Sequence, residues 1–198
     1  MTSRAGHDNV AAMTGLGAYP GSFDPPTRAH IQIALAARRH HDLERVDLVV
    51  STVALGKSDA LVPRLEDRLD VLRATVADID GLSVRVTEAQ MIVDIAEGYD
   101  VVVMGADKWA QVNDVAWYDN EAARDSALSR LPTVALAPRP PHAIPPQNAL
   151  PLPEELLEIS SSAVRSGRVE WMTDAAARFD HATGAWTDHD RYRRWLSR

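Results

Sequence analysis

The chain has no cysteine among its 198 residues, so a disulfide framework, a thiolate-held zinc and a thiol nucleophile are all excluded. It is also short of positive charge: 21 Lys and Arg stand against 28 Asp and Glu, a formal net charge of −7. Non-specific nucleic-acid binding depends on neutralising phosphates, and a surplus of carboxylates works against it. No apolar run approaches the roughly 20 residues of a membrane-spanning helix. The first residues, Met1 to Asp8, lack the apolar stretch of a secretory signal. Together these absences point to a soluble cytoplasmic protein with neither a nucleic-acid nor a membrane partner, and leave a homo-oligomer open.

What is present is an alternation. Residues 1–14 are small and polar and read as a flexible lead-in. Strands are expected at Leu16–Tyr19, Val46–Thr52, Leu82–Val86, Val101–Met104 and Thr133–Ala137. Between them, helices are expected from Thr27 to the basic end Arg38-Arg39-His40-His41, over Arg64–Asp78, Met91–Glu97 and Asn120–Arg130. This order predicts an α/β domain over 15–170, an open parallel sheet with helices on both faces. Eight of the twelve prolines fall between Pro132 and Pro153, which reads as a rigid surface connection without packed elements. Helix returns around Ser160 to Val169, and 171–198, with Trp186, Tyr192 and Trp195, reads as a helical tail packed on the domain.

Ligands of open α/β sheets bind beyond the carboxyl ends of the strands. After the first strand comes Gly21-Ser22-Phe23-Asp24-Pro25-Pro26-Thr27-Arg28-Ala29-His30. Glycine admits a ligand close to the backbone, and Thr27 and His30 share one face of a helix N-terminus, where anions are favoured. The plain alternative is a capping threonine and a surface histidine. Near the other end stands Ile159-Ser160-Ser161-Ser162-Ala163-Val164-Arg165, with serine hydroxyls and, on the same helix face, a guanidinium suited to phosphate oxygens. Ser51 to Ser58 nearly matches a P-loop, but serine replaces its first glycine and Pro63 interrupts the helix that should follow. Asp180-His181 and Asp188-His189-Asp190 fit no metal-ligand spacing, sit in what reads as a solvated tail, and no metal site is expected there.

G-S-F-D-P-P-T-x-x-H and I-S-S-S-x-V-R resemble the two signature segments of the nucleotidyltransferase superfamily, which includes nicotinate mononucleotide and phosphopantetheine adenylyltransferases. The resemblance implies a Rossmann-like fold and transfer of adenylyl from ATP to a small phosphate-monoester acceptor. Magnesium would arrive with the triphosphate. It implies that Thr27, His30, Lys57 and Arg165 carry the catalysis, and that Gly21, Ser22, Phe23, Gly105, Asp107, Ser160, Ser161 and Ser162 join Thr27, His30 and Arg165 around the nucleotide. Ala29 departs from the family's glycine, and its methyl group is expected to crowd the nucleotide.

The acceptor is read from the later loops. Gly105-Ala106-Asp107, Trp117 and Arg139-Pro140 resemble the nicotinate mononucleotide enzymes, whereas Lys57, after the second strand, resembles the phosphopantetheine branch. A pyridine mononucleotide is favoured, with Lys57, Asp107, Trp117 and Arg139 as its contacts. Lys57 as a solvated loop residue, Asp107 as a helix cap and Trp117 as core remain the alternatives. Phosphopantetheine, a cytidylyl donor, or a nucleotide sensor without turnover are the rival functions.

Overall fold

The computed structural model describes residues 14–53 and 63–198. Strands β1 (Leu16–Pro20), β2 (Arg45–Ser51), β3 (Leu82–Thr87), β4 (Val101–Gly105) and β5 (Thr133–Ala137) form one parallel sheet in the order β3-β2-β1-β4-β5. Val46, Leu48 and Val50 of β2 and Val101 and Val103 of β4 are turned into the larger core. There they meet Ile31, Ile33, Ala34 and Ala37 of α1 (Arg28–His40) and Leu69, Leu72 and Val76 of α2 (Leu65–Val76). The alternate residues Ala18, Val49, Val102 and Met104 face the other way. They are covered by Ile95 of α3 (Ile92–Ile95), Val112 of α4 (Ala106–Asn113) and Leu128 of α5 (Glu121–Leu128). Strands covered on both faces are rich in apolar residues, which is why β2 and β4 read as largely β-branched runs. The fold is therefore the expected Rossmann-like α/β arrangement. No helix among the described residues is long and apolar enough to cross a membrane.

Three segments differ from their sequence reading. The proline-rich stretch does carry packed structure: Leu150 is buried, its N–H donates to Leu136 O at 2.8 Å, and Ala149 forms a parallel bridge with Leu136. Prolines lack an N–H but do not prevent their neighbours from pairing with an edge strand. The helix expected over Ser160–Val169 is only α6 (Ser161–Arg165), because Gly167 turns the chain at φ +114 into a separate 3-10 turn, Val169–Trp171. Finally, the tail forms two helices, α7 (Asp174–Thr183) and α8 (His189–Leu196). Asp180 is buried rather than solvated: it accepts from Trp186 N, Thr187 N and Thr187 Oγ1 at 2.7, 3.1 and 2.6 Å and so holds the α7–α8 turn.

On the smaller core side, a buried carboxylate ties three parts of the fold together. Asp47 of β2 is 1% exposed and accepts from Arg45 Nε at 2.6 Å, Ser83 Oγ at 2.5 Å and Tyr99 OH at 2.9 Å, with Arg85 Nε at 3.4 Å. Burial pushes this carboxyl up, but the hydrogen bonds from Arg45, Ser83 and Tyr99 and the charge of Arg45 outweigh it and hold it below the usual aspartate range. A carboxyl depressed in the folded state stabilises above its unfolded value and loses that contribution as pH falls through the folded value. Asp47→Asn is therefore expected to lower stability at pH 7 by about 2–4 kcal/mol and to flatten the acid-side loss of stability below about pH 4. Denaturant unfolding of both proteins from pH 7 to pH 3 measures this, and parallel curves would count against the assignment.

Candidate active site

The strand order reverses at β1: the chain leaves it towards β2 and β3, then crosses back to β4 on the other side. Such a switch point is where doubly wound sheets open towards a ligand. β1 is in register with β2 from Leu16 to Pro20, but with β4 only at Gly17–Val101 and Ala18–Val102. The two strands therefore part towards their carboxyl ends, leaving a crevice between the turns that follow them.

The turn after β1 is closely built. Phe23 takes φ +44, uncommon for a bulky residue, and is held there by burying its ring. The ring lies edge-on to Tyr19 and to His30, with centroids 5.6 and 5.1 Å apart. It also lies beneath Gly21, where an added Cβ would stand 2.9 Å from Phe23 Cζ. Phe23 thus supports the site from below. Thr27 is the fully buried N-cap of α1, and His30 stands at the third helical position. Thr27 N–H donates to His30 Nδ1 at 2.9 Å, and Thr27 Oγ1 lies 2.9 Å from the same nitrogen. An Nδ1 that accepts from a backbone N–H carries no proton, so the neutral ring has its hydrogen on Nε2. Burial, helped by the charge of Arg139, pushes the His30 imidazole down to about 4, so it is neutral at pH 7. Ala29 is 1% exposed, and its methyl group is packed in the large core.

Cationic side chains arrive from later in the chain. Arg139, just after β5, donates from Nη2 to Ile159 O at 3.4 Å and stands with Nε 3.6 Å from Asp107 Oδ1. That Nε is buried without a hydrogen bond. Asp107 lies in the first turn of α4, after Gly105, where an added Cβ would come within 2.5 Å of the Asp107 carboxylate. The three serines divide their work: Ser160 Oγ caps Ala163 N–H at 3.1 Å, Ser161 Oγ donates to Pro25 O at 2.8 Å, and Ser162 Oγ accepts from Arg165 Nη2 at 3.3 Å. Arg165 Nη1 also donates to the Asp24 carbonyl. The α6 segment is in this way fastened directly onto the turn after β1.

The structure brings Gly21, Ser22, Phe23, Thr27, His30, Gly105, Asp107, Arg139, Ser160, Ser161, Ser162 and Arg165 to the carboxyl-end side of the sheet. Trp117 stands apart, half exposed, in a 3-10 turn beyond the far end of α4. Lys57 and most of the P-loop-like stretch lie outside the described residues. The sequence reading missed Arg68. It lies off the apolar stripe of α2, where a solvated charge is the ordinary expectation, yet its Nη1 donates to Ser22 O at 3.2 Å and its Nε is buried without a partner. No sequence signal marks it, since the contact joins residues 46 apart.

The family model described as cytidylyltransferase-like matches residues 18–167. A probable nicotinate-nucleotide adenylyltransferase of Bordetella avium is 31% identical over 160 residues, 76% of each chain. A phosphopantetheine adenylyltransferase of Desulfosudis oleivorans is 35% identical over 79 residues, 40% of this chain and 44% of that one. The chain thus spans less than half of the length of that relative. Among solved structures, a Plasmodium falciparum nicotinic acid mononucleotide adenylyltransferase complexed with NaAD superimposes with a TM-score of 0.65 at 13% identity, covering 86% of this chain and 96% of the other. That likeness concerns the fold. The sequence match runs from within β1 to just past α6 and so takes in both ends of the crevice; the chain belongs to the cytidylyltransferase-like family of nucleotidyltransferases.

Proposed function

We propose that this protein transfers the adenylyl group of ATP to a small phosphate monoester, with a nicotinate or nicotinamide mononucleotide as acceptor. The observation that carries this reading is the neutral His30 imidazole, fixed through Nδ1 by Thr27 and left with one N–H to donate. An oxygen of the acceptor phosphate forms a bond to the α-phosphorus of ATP, and the bond from that phosphorus to the bridging oxygen breaks. Pyrophosphate leaves with the electron pair. No enzyme nucleophile takes part, so catalysis is alignment plus stabilisation of charge on the transferring group. In this reading His30 Nε2–H donates to a non-bridging α-phosphate oxygen, and Thr27 orients the ring. Ser161, Ser162 and Arg165 hold the β- and γ-phosphates, Gly21 and Ser22 let the backbone approach, and Gly105 and Asp107 border the nucleotide. Magnesium enters with ATP as part of the substrate, its ligands being phosphate oxygens and water. The nearby carboxylates suit that division, since Asp107 faces Arg139 and Asp24 faces Arg165.

The pyridine mononucleotide is favoured by the B. avium relative, which this chain matches over 76% of its length, and by Gly105-Ala106-Asp107 and Arg139-Pro140. Lys57, Asp107, Arg139 and Trp117 are the acceptor contacts proposed. Phosphopantetheine is the second reading, supported by the D. oleivorans match and by the position of Lys57 after β2.

Pyrophosphate release with magnesium and ATP or CTP, across nicotinate mononucleotide, nicotinamide mononucleotide and phosphopantetheine, tests the proposal. Release with ATP that depends on a pyridine mononucleotide is the expected result. Nucleotide binding without release on any acceptor would replace the enzyme by a sensor. His30→Ala is expected to lower kcat by at least about 100-fold while ATP binding largely survives; an unchanged rate would remove His30 from the mechanism.

The low His30 value also has a stability signature. The unfolded imidazole takes its proton near pH 6.5 and the folded one only near 4, so the unfolded state binds more protons in between. Stability is expected to fall as pH drops from about 6.5 to 4 and then to lose this dependence. His30→Gln should show a shallower slope in that window, measured by denaturant midpoints at half-unit pH steps.

A further inference from the structure

The tail places a buried tryptophan against the turn after β1. Asp24, in the turn after β1, is 1% exposed, so its carboxylate has almost no contact with water. Trp186 Nε1–H, from the turn between α7 and α8, donates to Asp24 Oδ1 at 2.7 Å. The other oxygen, Oδ2, stands 3.8 Å from Arg165 Nη1, and the same guanidinium donates to the Asp24 carbonyl. Trp186 is itself 1% exposed, and its backbone N–H is held by Asp180 Oδ1 at 2.7 Å. The backbone that carries the indole is therefore anchored, and the ring itself is enclosed by the fold. A buried carboxylate needs its donors, and with one oxygen fixed by the indole the other is aimed at Arg165.

We infer that Trp186 is a positioning residue of the phosphate site: by fixing the Asp24 carboxylate it sets the guanidinium of Arg165 and the course of the turn from Gly21 to Thr27. The inference rests on the proposed use of that site by ATP. Neighbouring bonds act in the same direction. Thr173 N–H, just before α7, donates to Pro26 O at 3.1 Å, and Thr27 forms an antiparallel bridge with Met172. An indole that only filled space would be replaceable by another aromatic ring; one that acts through its N–H would not.

The test compares Trp186→Phe with Trp195→Phe, a tail substitution among the aromatic rings of Phe179 and Tyr192, both of which lie outside the site turn in sequence. Three readouts are taken on the full chain: hydrogen–deuterium exchange of the 21–27 segment, calorimetric binding of magnesium–ATP, and kcat against KM. Trp186→Phe is expected to speed exchange in 21–27 and to weaken ATP binding or lower kcat by about 10-fold. Trp195→Phe should lower the melting temperature without either change. Combining Trp186→Phe with Arg165→Ala should lose less than the product of the two single losses, because the two substitutions share the Arg165 guanidinium while the turn adds a part of its own. Wild-type exchange in 21–27 for Trp186→Phe, or losses that multiply in the double variant, would overturn the inference. If Trp186→Phe does not fold, Asp24→Ala removes the acceptor of the same bond from its other end, with faster exchange expected both in 21–27 and in 185–187; a change at neither end would overturn it. Should the wild type bind no ATP, the proposed function fails, and exchange in 21–27 still decides whether Trp186 braces the turn.

Discussion

A carboxylate withdrawn from water must be met by donors of fixed position, and Asp24 is met by two from distant parts of the chain. The indole of Trp186 takes one oxygen and the guanidinium of Arg165 faces the other. The turn after β1 is thereby gripped by the α6 segment and by the tail at once, with Ser161 and Thr173 adding bonds to the carbonyls of Pro25 and Pro26. Removing one partner of such a cluster leaves the remaining charge buried and unpaired, which costs more than the bond itself contributes. The position of His30 depends on this grip too, since the ring leans on Phe23 and accepts from Thr27, both inside the clamped turn.

The electrostatics of the crevice run against those of the molecule as a whole. The chain carries a net −7, yet Arg68, Arg139 and Arg165 all reach the turn after β1 or its neighbours. These three guanidiniums outnumber by one the two carboxylates, Asp24 and Asp107, that face them, a local balance opposite in sign to that of the whole chain. Burial keeps His30 unprotonated, and Arg139 adds repulsion in the same direction. The ring is also held in direction, because Thr27 at the helix start occupies its Nδ1 and leaves Nε2 as the donor.

The parts of this architecture legible from the sequence are those written within a few residues. Gly21 to His30 and Ser160 to Arg165 each hold their motif in one turn and one helix start, and the β-branched runs of β2 and β4 announce strands. α4 carries no such signal, because its buried residues, Ala106 and Val112, are too few to give a period. Phe23 reads as a ligand contact in the motif, but a positive φ and ring burial make it a prop. Asp24–Trp186 and Arg68–Ser22 were not readable at all, since they join residues 162 and 46 apart. Asp24 reads only as part of its turn, Trp186 only as part of a packed tail and Arg68 as a solvated charge, because nothing in the sequence pairs such distant positions. Leu150 was hidden differently, by prolines that signal a loop even where the next N–H pairs with β5.

The separation between Asp24 and Trp186 has a consequence for how the protein is made. Residue 24 is synthesised 162 residues before its indole partner. At ribosomal rates of roughly 5–20 residues per second, the interval is on the order of 8–30 s. Strands β1 to β5 and their helices have all left the ribosome's reaction centre before residue 186 is joined to the chain, so the sheet can gather well before the turn after β1 acquires its final hold. A nascent chain at that stage carries the strands and both motif segments while the aspartate still waits for its donor, so the crevice gains this hold only once the tail has been made.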